Sequence, residues 1–201
     1  MTPHTFHPTA IIESTQVGDG TRIWAYVHVL PDAVIGSDCN IGDHGFVESG
    51  AVIGNNVTVK NHVCVWDGVT LEDDVFVGPF VCFTNDLHPR SPRMPEARAR
   101  YADKENWLVR TIVQRGATIG ANATIVGGVR LGRYSFVAAG ATVTADVEPF
   151  ALMMGAPARK VSDVCRCGQR LSDGFPDVDC EACGTTREFF QQVFAESETN
   201  R

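Results

Sequence analysis

Ile35-Gly36-Ser37-Asp38-Cys39-Asn40-Ile41-Gly42-Asp43-His44-Gly45-Phe46-Val47-Glu48-Ser49-Gly50-Ala51-Val52-Ile53 places an aliphatic residue at every sixth position. The same step gives Ile11, Val17, Ile23 and Val29 before this stretch, and Val59, Val65, Leu71, Val77 and Phe83 after it. Four places beyond most of them stands a small or β-branched residue: Thr15, Thr21, Val27, Ala33, Ala51, Val57, Val63, Val69, Val75 and Val81. A helix repeats its apolar positions every three or four residues and a strand every two, so a period of six belongs to neither. It fits a hexapeptide β-helix, where each hexad supplies one short strand and one corner of a stacked coil. With three hexads per triangular coil, residues 18 apart stack on one face of adjacent coils, about 4.8 Å apart.

Outward from this core, residues 1–10 show no repeat and are expected to lead into or cap the first coil, whose apolar end must be covered. Gly18, Gly36, Gly42, Gly54 and Gly78 follow directly on aliphatic positions, where a tight corner favours a residue without Cβ. Residues 84–112 break the period, and a long excursion from a regular scaffold is usually functional. The repeat resumes at Val113, Ile119, Ile125, Leu131, Val137 and Val143 and is expected to close near Pro149. The reading is an all-β chain with a parallel β-helix of hexapeptide repeats over 1–161, one long protruding loop at 84–112, and a small Cys-rich extension over 162–201. Its polar end, Glu196 to Arg201, is expected to be loose.

Composition narrows the function. The 201 residues are 44% hydrophobic and 20% charged, enough for one continuous core and an appendage. A net charge of −7 without a basic cluster argues against nucleic acid or an anionic membrane as partner. No apolar run reaches spanning length and the N-terminus lacks the regions of a signal peptide, so a cytoplasmic location is expected.

The stacking rule also picks out side chains. Asp67 and Asn85 are 18 apart, each two places after its core residue, and Asp86 adjoins Asn85 where the excursion begins. Two acids and an amide gathered there suit recognition of an amine, although the same positions suit ordinary turn residues. His88, before Pro89, has the pKa range of a general base and is equally a plain loop residue. His44 and His62, also 18 apart, form a corner column with Tyr26 and Phe80. Stacked histidines suggest a γ-carbonic-anhydrase-like zinc protein, but no third histidine follows His88 and an aromatic ladder is the simpler reading. Cys165, Cys167, Cys180 and Cys183, spaced C-x-C and C-x2-C, suit a structural zinc site, with disulfides the alternative.

The unbroken hexads, the loop two-fifths of the way along and the closing Gly155-Ala156-Pro157-Ala158-Arg159 resemble the hexapeptide-repeat acyltransferases. Val65-Trp66-Asp67-Gly68-Val69, Gly78-Pro79, Phe83-Thr84-Asn85-Asp86 and Pro89-Arg90 are similar to the N-acetyltransferases of nucleotide-linked 3-amino sugars. Those act on sugars of the UDP-2-acetamido-3-amino-2,3-dideoxy-glucuronate or dTDP-3-amino-3,6-dideoxyhexose type. The resemblance covers about residues 8–161 and implies a left-handed β-helix, a homotrimer with sites between subunits, acetyl-CoA as co-substrate, and a role in surface polysaccharide (O-antigen or lipopolysaccharide) synthesis. It implies that Asp67, Asn85 and Asp86 line the amino-sugar site. Arg90, Arg93 and Arg98 are loop cations that could touch the nucleotide phosphates, with no spacing that fixes them. For the donor, Gly127-Gly128 and Ala138-Ala139 would let a thin pantetheine arm approach, and Arg159 and Lys160 match basic positions that meet CoA phosphates. Within the superfamily, enzymes acting on hydroxyls carry a loop histidine before proline, so O-acetylation with His88 as base is the rival activity. A non-catalytic scaffold is the rival of another class.

Overall fold

The computed structural model describes residues 3–171 and 175–199. Two- and three-residue strands stack in parallel on three faces, as a left-handed β-helix of about eight turns requires. The first face runs from Thr5–Phe6 through Arg22–Ile23, Asn40–Ile41, Thr58–Val59, Phe76–Val77, Thr118–Ile119 and Phe136–Val137 to Ala151–Met154. The second carries Ile11–Ile12, His28–Val29, Phe46–Val47, Cys64–Val65, Cys82–Phe83, Thr124–Ile125 and Thr142–Val143. The third has five strands, from Val34–Ile35 to Arg130–Leu131. Partners such as Asn40 and Thr58 are 18 apart, the register the hexads predict.

The second residue of each two-residue strand points inward, and this column is the core: Ile41, Val65, Val77, Ile119 and Ile125 are fully buried. The first coil departs from the period. Ile12, not Ile11, pairs with Val29, because the step between these coils is one residue short. Ile11 is therefore 56% exposed, and Ser14, not Thr15, takes the buried small position, donating to the Ala33 carbonyl at 2.6 Å. Thr5–Phe6 pairs with Arg22–Ile23, so the N-terminal segment is itself part of the first coil, with residues 1–2 outside the described residues.

The corner glycines have a different cause from the one expected. Left-handed backbone falls three places after the core residue, at Tyr26, His44, Asn56, His62, Asp74 and Phe80 and at Gly50, Gly68, Gly116 and Gly128, with φ between 56° and 89°. Gly36 and Gly78 stand one place after the core residue because the next coil presses on them. A Cβ on Gly36 would lie 2.5 Å from the Gly54 carbonyl oxygen, and one on Gly78 2.7 Å from the Ala121 nitrogen. Side chains are thus excluded by interlayer contact, not by backbone handedness.

Across the excursion, strand partners such as Val69 and Thr111 stand 42 positions apart in place of 18, so 24 residues are inserted. Thr84 still bonds in register to the Ile125 carbonyl and Thr111–Val113 is already a coil strand, so the loop is shorter at both ends than 84–112. It carries the short helix α1 (Pro95–Arg98) and single 3-10 turns at Arg100–Ala102 and Lys104–Asn106.

The solenoid does not stop at Pro149. Ala151–Met154 pairs in parallel with Phe136–Val137, and only then does Arg159–Asp163 turn back antiparallel onto it. Helix α2 (Arg187–Thr199) follows the cysteine segment, so the polar end is helical to Thr199, with residues 200–201 outside the described residues. Phe190 and Val193 of α2 pack with Phe150 of the last coil in a second apolar cluster. No described helix is long and apolar enough to cross a membrane.

Candidate active site

The corner that follows the second face gathers one column of functional groups, ascending through Gly50, Asp67-Gly68, Asn85 and Gly127-Gly128. Left-handed Gly50 leaves room below: a Cβ there would run into the Asp67 carboxylate. The Asp67 amide donates to Glu48 Oε2 at 2.8 Å, which fixes the turn from beneath. Trp66 Nε1 donates to the Phe83 carbonyl at 3.0 Å, tying this corner to the next coil. Asn85 Nδ2 reaches the Asp67 backbone carbonyl at 3.2 Å, so the two residues stack as their spacing predicts, with the amide on the main chain and the carboxylate left to face outward.

The loop leaves and returns at this column. Val109 donates to the Asn85 carbonyl at 3.0 Å and Thr111 to the Gly68 carbonyl at 3.0 Å, closing the loop's neck. Gly127 is buried beneath the neck, where a Cβ would come within 2.7 Å of the Thr84 carbonyl oxygen, and its amide donates to Thr84 Oγ1 at 2.8 Å. Packing under the loop thus accounts for this glycine. Gly128 is exposed beside it.

Asp86 faces into the loop. Its carboxylate accepts from Tyr101 Oη at 2.7 Å, from Arg100 Nη2 at 2.5 Å and from the His88 amide at 2.8 Å. Burial pushes the carboxyl up, but the bonds from Tyr101, Arg100 and the His88 amide outweigh it, so Asp86 titrates below the ordinary carboxylate range. Arg100 also donates to the His88 carbonyl, and the Arg90 amide donates to the Tyr101 hydroxyl oxygen at 2.9 Å. His88 and Arg90 themselves are exposed and line a hollow in the loop with Met94, Glu96, Ala97 and Arg100. Arg93 and Arg98 are exposed on the same loop.

Lys104, which no spacing rule singles out, swings its ammonium onto Asp67 Oδ2. The hydrogen bond to Asp67, with its charge, raises the Lys104 pKa. Asp67 is thereby already engaged by an alkylammonium, the chemical group that an amine acceptor presents. Glu48, Arg100, Tyr101 and Lys104 complete the site without having been singled out. Glu48 lies 19 residues before Asp67, close enough to the 18-residue step to have been found by stacking; the loop residues obey no period.

The remaining donor candidates stand elsewhere. Ala138 and Ala139 occupy the corner after the first face, one and two places after Val137, whereas the column of Tyr26, His44, His62 and Phe80 continues through Asn122 and Gly140. Those four rings stack with centroids 4.7 to 5.0 Å apart and planes within 17° of parallel, the aromatic ladder expected. Arg159 and Lys160 lie beyond the last coil; Lys160 pairs with Asp163 at 2.8 Å and Glu148 at 3.3 Å, while Arg159 donates to the Ala158 carbonyl.

The description "Bacterial transferase hexapeptide (six repeats)" matches residues 14–48 and 110–145, on both sides of the loop. Over 190 residues the chain is 51% identical to dTDP-3-amino-3,6-dideoxy-alpha-D-galactopyranose 3-N-acetyltransferase of Aneurinibacillus thermoaerophilus, covering 94% of this chain and 93% of that one. A shorter stretch of 53 residues is 45% identical to 2,3,4,5-tetrahydropyridine-2,6-dicarboxylate N-acetyltransferase of Ligilactobacillus salivarius, covering 26% and 23% of the two chains. Among solved structures, the acetyltransferase domain of PglB from Neisseria gonorrhoeae in complex with acetyl coenzyme A is similar in fold, with a TM-score of 0.55 at 19% identity. That match covers 79% of this chain and 58% of that one. The chain belongs to the hexapeptide-repeat acyltransferases, in the family of nucleotide-sugar N-acetyltransferases.

Proposed function

We propose that this enzyme transfers the acetyl group of acetyl-CoA to the 3-amino group of a dTDP-linked 3-amino-3,6-dideoxyhexose. The observation that carries this reading is the Asp67 carboxylate, fixed at the loop's neck and holding an ammonium group, in a chain 51% identical to an enzyme named for that reaction. The sugar's amine displaces Lys104 and hydrogen-bonds to Asp67, which orients its lone pair and stabilises the positive charge that grows on nitrogen. The amine nitrogen attacks the thioester carbonyl, an oxyanion forms, and its collapse breaks the carbon–sulfur bond. The departing CoA thiolate takes the proton from nitrogen, which leaves no task for a histidine base. In this reading Asn85 sets the height of Asp67, while Asp86 and Arg90 shape the sugar-nucleotide side.

The donor lies along the small residues Gly128, Ala138 and Ala139 and meets Arg159 and Lys160 with its phosphates. Gly127 supports that surface from beneath. Association into a homotrimer brings the two corners of neighbouring subunits together into one cleft, in the cytoplasm where acetyl-CoA is made, for synthesis of surface polysaccharide.

The test is thiol release from acetyl-CoA with dTDP- and UDP-linked 3-amino sugars beside their 3-hydroxy analogues. Turnover confined to the dTDP-linked amines is expected. Turnover of the hydroxy analogues would replace the reading with O-acetylation through His88, and no turnover of any would remove it. A second expectation concerns Lys104, whose side chain is 64% exposed, so its pair with Asp67 contributes at most about 1 kcal/mol. Lys104→Met should therefore lower KM for the amino sugar by up to about fivefold with kcat nearly unchanged. A raised KM in steady-state assays would make Lys104 a substrate ligand instead of a displaced one.

A further inference from the structure

We propose that Cys165, Cys167, Cys180 and Cys183 bind one structural zinc ion that clasps the C-terminal segment onto the last coil. All four Sγ atoms lie within 4.8 Å of one another, with Cys165 and Cys183 3.6 Å apart and Cys167 and Cys180 3.9 Å apart. A regular tetrahedron of thiolates about 2.3 Å from zinc has edges of about 3.8 Å. Two disulfides would draw sulfurs together in two separate pairs at about 2.05 Å and would impose no common centre on the four.

The backbone repeats itself around the cluster. Gly168 donates to the Cys165 carbonyl and Gly184 to the Cys180 carbonyl, each at 2.8 Å, and both glycines are left-handed. In turn the Cys165 amide donates to the Gln169 carbonyl and the Cys180 amide to the Thr185 carbonyl, again at 2.8 Å. Two equivalent knuckles thus present two sulfurs each to one point, and the C-x-C knuckle, one residue shorter than its mate, closes the same way. Arg166 links them, donating from Nε to Thr185 Oγ1 at 3.0 Å.

The position of the cluster gives it a task. Cys165 and Cys180 are buried in the apolar group of Phe150, Phe190 and Val193, which joins the last coil to α2. Phe150 and Phe175 each meet Phe190 edge-on at 5.1 Å. A segment this short cannot hold such a layer in place by burial alone, and a metal supplies the missing constraint. Four thiols lose four protons to the solvent as the ion binds, and all four ligand positions are filled by protein, so the site is closed and takes no part in acyl transfer. The inference is independent of the sugar the enzyme uses.

The experiment is elemental analysis of the full chain, expressed with zinc and purified without chelators. Wild type is expected to carry about one zinc per chain and Cys180→Ser/Cys183→Ser less than about a tenth of that. Limited proteolysis should then cut the double variant between residues 165 and 187 while leaving the solenoid intact. Should the variant fail to fold, wild type grown with cobalt in place of zinc must show the thiolate-to-cobalt charge-transfer bands of a tetrahedral site. Zinc-free wild type with no cobalt bands, cysteines found paired by non-reducing peptide mapping, iron in place of zinc, or zinc retained by the double variant would each overturn the proposal.

Discussion

Asp67→Asn is expected to lower kcat/KM for the amino sugar by about 100-fold or more and to leave the thermal midpoint close to that of the parent. The replacement keeps the shape of the side chain and the amide bond to Glu48, which the backbone makes. What disappears is the charge that faces the attacking nitrogen, and an uncharged amide cannot stabilise the cation that forms as the bond closes. Stability is spared because the partner, Lys104, is mostly exposed and returns to water. Asn85→Ala acts through the same point: it removes the bond to the Asp67 carbonyl and should cost less, since one neutral hydrogen bond contributes about 1 kcal/mol. His88→Ala should remain near parental activity. Steady-state thiol release with circular dichroism melting reads all three, and an Asp67→Asn enzyme of normal kcat/KM would remove Asp67 from the chemistry.

That pair was legible in the sequence because the solenoid converts position into place. Once hexads are recognised, 18 residues separate stacked neighbours, and Asp67 over Asn85, or His44 over His62, needs no further information. The rule fails wherever the chain stops obeying its period. It misplaced Ile11 because the first coil is one residue short, an offset no downstream hexad reports. Gly36 reads in sequence as a tight-corner residue, because a sequence does not show that the coil above lies within contact of a missing Cβ. The loop is the larger loss: Lys104, Arg100 and Tyr101 meet Asp67 and Asp86 across 14 to 37 residues of irregular chain, held by side-chain bonds with no repeat to announce them. The cysteines lie at the other extreme, since their C-x-C and C-x2-C spacing is local and brings four sulfurs within 4.8 Å of one another outside any repeat.

The loop's dependence on Asp86 leads to the second large effect. Asp86→Ala should raise KM for the sugar nucleotide by about tenfold or more and open residues 86–108 to protease, with the melting of the solenoid unchanged. The carboxylate side chain is only 10% exposed and Arg100 28%, so the substitution removes a part-buried ion pair together with the Tyr101 bond, a loss of about 1–3 kcal/mol. That cost falls on the loop, whose residues supply none of the solenoid's inward column, so it appears as local opening. Tyr101 packs on Trp107 with ring centroids 5.7 Å apart, so the fluorescence of Trp107 should report the opening. Acid should imitate the substitution. A carboxyl whose pKa falls on folding stabilises the loop above its unfolded value of about 4, and that contribution disappears as pH drops through the lower folded value. The Trp107 signal of wild type should therefore hold steady down to about pH 4 and change below it, before the core melts, whereas Asp86→Ala should show the altered signal already at neutral pH. An Asp86→Ala enzyme with parental KM and a protease-resistant loop would mean that Arg100 and Tyr101 hold the loop by other contacts and that Asp86 neither orders the loop nor meets the substrate.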